Sequence, residues 1–136
     1  MDGKISFLLD KVHAQVNFTQ YFGSDDGNGN PIPYIPTTVV NAVVNVPFGW
    51  LNVNAGFNYR GKFTLPDSDP RTPVKSYLVG RLNVVAAPPG IPFEFRVTGR
   101  NIFNTKYSAP SSSIDFTNHF PARKMEIVLG MSYRFN

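Results

Sequence analysis

Lys124-Met125-Glu126-Ile127-Val128-Leu129-Gly130-Met131-Ser132-Tyr133-Arg134-Phe135 is the stretch that decides the fold class. Met125, Ile127, Leu129, Met131, Tyr133 and Phe135 fall on one parity. Lys124, Glu126, Val128, Gly130, Ser132 and Arg134 fall on the other. Successive side chains of a strand point to opposite faces, so this is a strand with one apolar and one largely polar face. A helix of period 3.6 would scatter the same apolar residues around its whole circumference.

The same two-residue period runs upstream through nearly the whole chain. In residues 50–63, Leu51, Val53, Ala55, Phe57, Tyr59 and Phe63 oppose Asn52, Asn54, Asn58, Arg60 and Lys62. In residues 11–22, Val12, Ala14, Val16 and Phe18 alternate with His13, Gln15, Asn17 and Thr19. Residues 37–46, 75–86 and 92–103 follow the pattern less cleanly. A short first strand, 4–9, places Ile5, Phe7 and Leu9 together. Its parity is opposite to that of the next strand, which predicts a tight turn at Asp10-Lys11. The expected fold is therefore all-β, an antiparallel up-and-down meander of about seven strands.

Connections alternate in length. Asp10-Lys11, Pro47-Phe48-Gly49 and Ala87-Pro88-Pro89-Gly90 are short, whereas 23–36, 64–74 and 104–122 are long and rich in Ser, Asp, Asn, Gly and Pro. Short turns at one rim and long loops at the other are the layout of an outer-membrane β-barrel. The 136 residues include 14% aromatic but only 16% charged residues, against roughly 25% charged in ordinary soluble domains. No apolar run approaches the roughly 18 residues of a membrane-spanning helix. The charge of +4 comes with no Lys/Arg block, which argues against nucleic acid as a partner. No signal segment heads the chain.

Alternation alone leaves open whether the apolar face meets lipid or the dry interior of a soluble, lipocalin-like barrel. Two features favour lipid. Lys11, Arg60, Lys62, Lys75, Arg81, Glu94, Arg96, Arg100, Lys124, Glu126 and Arg134 all take the polar parity, and Arg or Lys on a lipid face costs about 2–4 kcal/mol at the midplane. Phe22, Trp50, Tyr59, Phe63, Phe93, Phe103, Tyr133 and Phe135 gather toward strand ends, where interfacial girdles form. The polar face then lines the lumen, with Arg60, Lys62, Arg81, Arg96 and Arg100 as its basic residues. An odd meander leaves edges that cannot face lipid unpaired, so the chain is expected to be a piece of a larger barrel.

The residues also resemble a family. Gly99-Arg100-Asn101-Ile102-Phe103-Asn104-Thr105-Lys106-Tyr107 is similar to the Asn-Leu-Phe strand end near the C-terminus of TonB-dependent outer-membrane receptors. Phe120-Pro121-Ala122-Arg123 and the final Leu129-Gly130-Met131-Ser132-Tyr133-Arg134-Phe135 are similar to the family's closing strand. Ile32-Pro33-Tyr34-Ile35-Pro36 and Asn58-Tyr59-Arg60-Gly61 look like two of its upstream marks. The resemblance implies that residues 1–136 form the C-terminal segment of such a receptor's barrel, in the bacterial outer membrane. The plug domain and most of the roughly twenty-two strands would lie outside it. It further implies uptake of a scarce nutrient, a siderophore-type iron complex, with TonB engaging the plug. Gly130, Tyr133 and Phe135 would form the signal read by the barrel-assembly machinery. Asn136, one residue past the usual terminal aromatic, departs from the pattern, and Asn101 falls on the apolar parity, which predicts a bulge or an interfacial position. A small stand-alone barrel without active transport, or a soluble ligand binder, remain the alternatives.

Nothing in the sequence points to catalysis, a cofactor or a metal. His13 and His119 have no ligand at metal spacing. Residues 24–30 lack the distal bidentate Glu of a calcium loop. Asp67 and Asp69 flank prolines and read as turn chemistry.

Overall fold

A computed structural model of the chain describes residues 1–9, 11–22, 27, 32–66, 68–111 and 119–135. The strands are β1 (Asp2–Leu9), β2 (Val12–Gln20), β3 (Thr38–Phe48), β4 (Leu51–Arg60), β5 (Tyr77–Ala86), β6 (Phe93–Arg100), β7 (Ser108–Ala109), β8 (Phe120–Pro121) and β9 (Glu126–Tyr133). Seven of them form one antiparallel sheet in the order β1-β2-β3-β4-β5-β6-β9, and β7 pairs with β8. The expected meander is therefore present.

Register carries the polar parity straight across the sheet. Ser6 lies opposite Gln15, Gln15 opposite Val43, Val43 opposite Gly56, Gly56 opposite Arg81, Arg81 opposite Arg100, and Arg100 opposite Glu126. One residue along, Phe7, Ala14, Val44, Ala55, Leu82, Gly99 and Ile127 make an apolar row. The parity switch between β1 and β2 arises as expected: Leu9 pairs with Val12, so the connection is residues 10 and 11. Asp10 itself lies outside the described residues, as do Ser24, Asp67 and Asn136.

No second layer covers the apolar face among the described residues. Leu129 is 75%, Met131 67% and Phe7 65% exposed, and the buried hydrophobics are Phe63 and Val74. Both of these sit in the connection between β4 and β5, not in the sheet. A soluble sandwich or barrel would place its apolar face against a second sheet or its own interior.

Strand boundaries shift from the sequence reading by a few residues at several ends. β3 continues through Pro47 and Phe48, and the turn is Gly49-Trp50 with Gly49 at φ 55°. Phe48 and Leu51 close that hairpin, so by alternation Pro47 turns its nitrogen toward the β2 flank. There β2 pairs only as far as Asn45, and the missing N–H breaks no ladder. β6 stops at Arg100 instead of running to Phe103. Lys11, Lys62, Lys75, Lys124 and Arg134 lie just outside the strands assigned to them. The long connection after β6 contains the small β7-β8 hairpin, too short for periodicity to register.

Candidate lumen face and long-loop end

On the polar face the side chains bond mainly to one another. Gln15 Nε2 donates to Asn17 Oδ1 at 3.3 Å, Thr98 Oγ1 to Asn83 Oδ1 at 2.9 Å, and Asn58 Nδ2 to Asn41 Oδ1. Arg81 and Arg100 stand directly opposite each other, an unfavourable pairing of like charges. They separate by leaning in opposite directions. Arg100 Nη1 reaches Glu126 Oε2 on β9 at 2.9 Å. Arg81 lies flat over Gly56 on β4, where a Cβ would come within 2.8 Å of the Arg81 Cγ. Glu94 pairs with both Arg96, at 3.2 Å, and Arg134, at 2.8 Å. Of the five basic residues expected to line this face, Arg96 and Arg100 are thus paired. Arg60, Lys62 and Arg81 form no ion pair among the described residues. Arg60 and Arg81 lie on adjacent strands, and Lys62 follows β4 at the long-loop end.

At the short-turn end, Tyr133 packs edge-on against Phe93 with ring centroids 5.1 Å apart, and Phe135 packs edge-on against Tyr133 at 4.8 Å. Gly130 faces Arg96, and a Cβ there would stand 3.7 Å from the Arg96 Cβ, an ordinary contact. Sterics within this sheet therefore do not require glycine at 130.

The long-loop end is tied together through residues that sequence reasoning treated as generic. Asp69 is buried, and its carboxylate accepts from Arg71 Nε at 2.8 Å, Arg71 Nη2 at 2.6 Å, the Arg71 backbone N at 3.0 Å and the Tyr34 hydroxyl at 3.3 Å. Arg71 Nη2 also donates to the Ser111 carbonyl at 2.9 Å. Hydrogen bonds from Arg71, outweighing the opposing effect of burial, hold the Asp69 carboxyl well below the usual carboxylate range. Asp69 in turn raises the Arg71 guanidinium. His119 Nε2 lies 2.9 Å from the Thr72 carbonyl, while His13 sits on the polar face of β2.

The segment after β6 explains the misfit of Asn101. It is not a bulge within the strand: it is buried, at φ 48°, and follows the last strand residue. Its Nδ2 donates to the Thr105 and Arg123 carbonyls, both at 3.0 Å, and its Oδ1 accepts from Thr105 N at 2.9 Å. Asn104 also has positive φ, 49°, a conformation that Asn tolerates better than most residues. This double left-handed turn folds Ile102 and Phe103 back over the apolar face. Ile102 N bonds to the Gly80 carbonyl at 3.0 Å and Phe103 stacks on Phe57. Gly80 and Gly99 leave the room: a Cβ at Gly80 would meet Phe103 at 2.6 Å, and one at Gly99 would meet Ile102 at 2.8 Å. Two small residues on neighbouring strands opposite an Ile-Phe pair were the available signal.

The chain matches no protein-family model and no curated protein. Solved structures do match it. The siderophore receptor PirA from Acinetobacter baumannii is 20% identical, with TM-score 0.72, over 98% of this chain and 21% of that one. The ferric-catecholate import receptor Fiu from K12 E. coli is 19% identical, with TM-score 0.73, over 97% and 20%. The ferric enterobactin receptor PfeA is 12% identical, with TM-score 0.70, over 96% and 21%. This chain has the fold of a receptor-barrel wall. It spans about a fifth of the length of the solved receptors it matches.

Proposed function

We propose that the chain is the C-terminal stretch of an outer-membrane receptor barrel that takes up a scarce nutrient, a siderophore-type iron complex, in a TonB-dependent manner. The observation that carries this reading is the pairing of a one-layer, two-faced sheet with a fold match to siderophore receptors that covers 97–98% of the chain. Strands of 8 to 11 residues are about the length that crosses a bilayer when tilted, some 9–11 residues. Lipid would take the apolar face, whose aromatic ends supply the girdles. Arg60, Lys62, Arg81, Arg96 and Arg100 would face the lumen.

The outer edges of β1 and β9 have no strand partner among the described residues. In lipid each unpaired backbone group costs several kcal/mol, which supports a wall completed by further strands. A plug contributed by sequence outside this chain would receive TonB. Gly130, Tyr133 and Phe135 would present the signal for barrel assembly, and the absence of a steric need for glycine at 130 favours such a role.

The test is uptake of a labelled ferric catecholate by iron-starved cells carrying the complete reading frame that holds this chain. Uptake should require both that gene and TonB. Unchanged uptake after deletion of the gene would count against the ligand class, and uptake that persists without TonB against the energy coupling. Heat-modifiable migration of residues 1–136 alone, refolded in detergent, would favour a stand-alone barrel.

A further inference from the structure

We propose that Asp69 and Arg71 are a positioning pair that locks the described residues of the three long connections of the sheet into one preformed surface. The inference rests on the receptor reading above and adds to it that the long-loop end is the part that meets the ligand.

The tie reaches every long connection. Asp69 and Arg71 belong to the one between β4 and β5, Tyr34 to the one between β2 and β3, and Ser111 to the one after β6. Tyr34 donates to the Asp69 carboxylate and Arg71 donates to the Ser111 carbonyl, so a single ion pair bonds to both neighbours of its own segment. Its side chains are 0% and 6% exposed. Backbone bonds close the same seam, with Tyr34 N on the Thr64 carbonyl at 2.8 Å, Thr37 N on the Lys62 carbonyl at 2.9 Å and Phe63 N on the Val74 carbonyl at 3.2 Å.

A hydrogen-bonded charge pair enclosed in this way has a two-sided consequence. Intact, it fixes geometry, because both Asp69 oxygens and the Arg71 Nε and Nη2 have directed partners. Broken, it leaves a charge in a site built to exclude water. A surface already ordered avoids loop-ordering costs on binding. Capture should therefore proceed without separate rearrangement of the tied residues around Tyr34, Asp69, Arg71 and Ser111, and any motion of one of them should carry the others.

Hydrogen exchange on the complete protein in detergent tests this without a ligand, so its outcome is independent of the uptake experiment. Asp69→Asn keeps an oxygen for the Arg71 backbone N but loses the ion pair. It should speed exchange by about tenfold or more at Tyr34, Thr37 and Phe63 and in residues 107–111, while Asp69 N stays protected on the Pro66 carbonyl. Arg71→Leu should do the same, and β4 and β5 amides should hold in both variants. Tyr34→Phe, which removes one bond at 3.3 Å, should affect residues 32–37 alone and serves if the charge variants do not fold. Faster exchange confined to residues 66–72 would overturn the proposal, as would acceleration spread through β4 and β5.

Discussion

The strand wall and the long-loop end of this molecule obey different rules. In the wall, a residue's environment follows from whether its number is odd or even and from one register, so neighbours in sequence sit on opposite faces. At the loop end, the partners that matter are 35, 40 and 47 positions apart: Tyr34 and Asp69, Arg71 and Ser111, Thr72 and His119. Among the described residues the wall has no enclosed core, whereas the loop end buries Asp69, Asn101, Ser111, Phe63 and Val74. Polarity is thus partitioned by face in one region and by enclosure in the other. The harshest way to break this contrast is to put a charge on the wrong parity. Leu82→Arg, in the middle of the apolar row, should destabilise the folded protein in bilayers by about 2–4 kcal/mol. The adjacent Asn83→Arg should cost about 1 kcal/mol, the worth of its bond from Thr98. Urea titrations in lipid vesicles would separate the two, and equal costs would end the assignment of faces.

The next largest effect lies at the join of the two regions. Asn101→Ala loses three hydrogen bonds and leaves an alanine at positive φ, so a loss of about 2–3 kcal/mol is expected. Asn101→Gly relieves only the backbone and should recover about 1 kcal/mol of it. If the two variants unfold at the same denaturant concentration, the left-handed conformation carries no part of the cost.

This join also marks where sequence reading stops. Parity placed all seven strands of the main sheet and put Arg60, Arg81, Arg96 and Arg100 on one face, because alternation is a local property that survives without knowledge of partners. It carried β6 too far because Ile102 and Phe103 look like further strand residues. Only the enclosure of the Asn101 side chain by Thr105 and Arg123, the latter 22 positions away, reveals a turn. Asp69 was rightly seen as a turn residue, since its Oδ1 accepts from Arg71 N two positions on. Its tie to Tyr34 had no signature, because a Tyr and an Asp 35 residues apart are brought together by the register of β3 with β4, which no short window contains. Likewise, the pairing of Arg100 with Glu126 while Arg81 leans on Gly56 depends on which strands are neighbours.

Acid is a gentler probe of the loop end. Asp69 has a folded-state pKa depressed by Arg71. Its contribution is therefore fully present above the unfolded carboxylate value of about 3.9 and is lost only as pH falls below that toward the depressed folded value. Exchange at Tyr34 and Thr37, corrected for intrinsic rates, should stay flat from neutral pH down to about 4 and rise only below it. A rise centred at about pH 6, well above the ordinary carboxylate range, would mean that some other group holds the seam.

The smallest expected effect is on the wall's polar face. Arg100 and Glu126 bond at 2.9 Å, but their side chains are 60% and 38% exposed, and a pair so open to water contributes about 0–1 kcal/mol. Arg100→Gln should therefore leave stability within about 1 kcal/mol of the parent. It also removes the like charge opposite Arg81, which offsets part of the loss. The double variant Arg100→Gln with Arg81→Gln isolates this term. If Arg81 and Arg100 repel, Arg81→Gln destabilises more once Arg100 has been replaced than it does in the parent, because the first substitution has already relieved the repulsion. Additive costs in that cycle would mean that opposite leaning has already removed the repulsion, with Gly56 supplying the space that allows it.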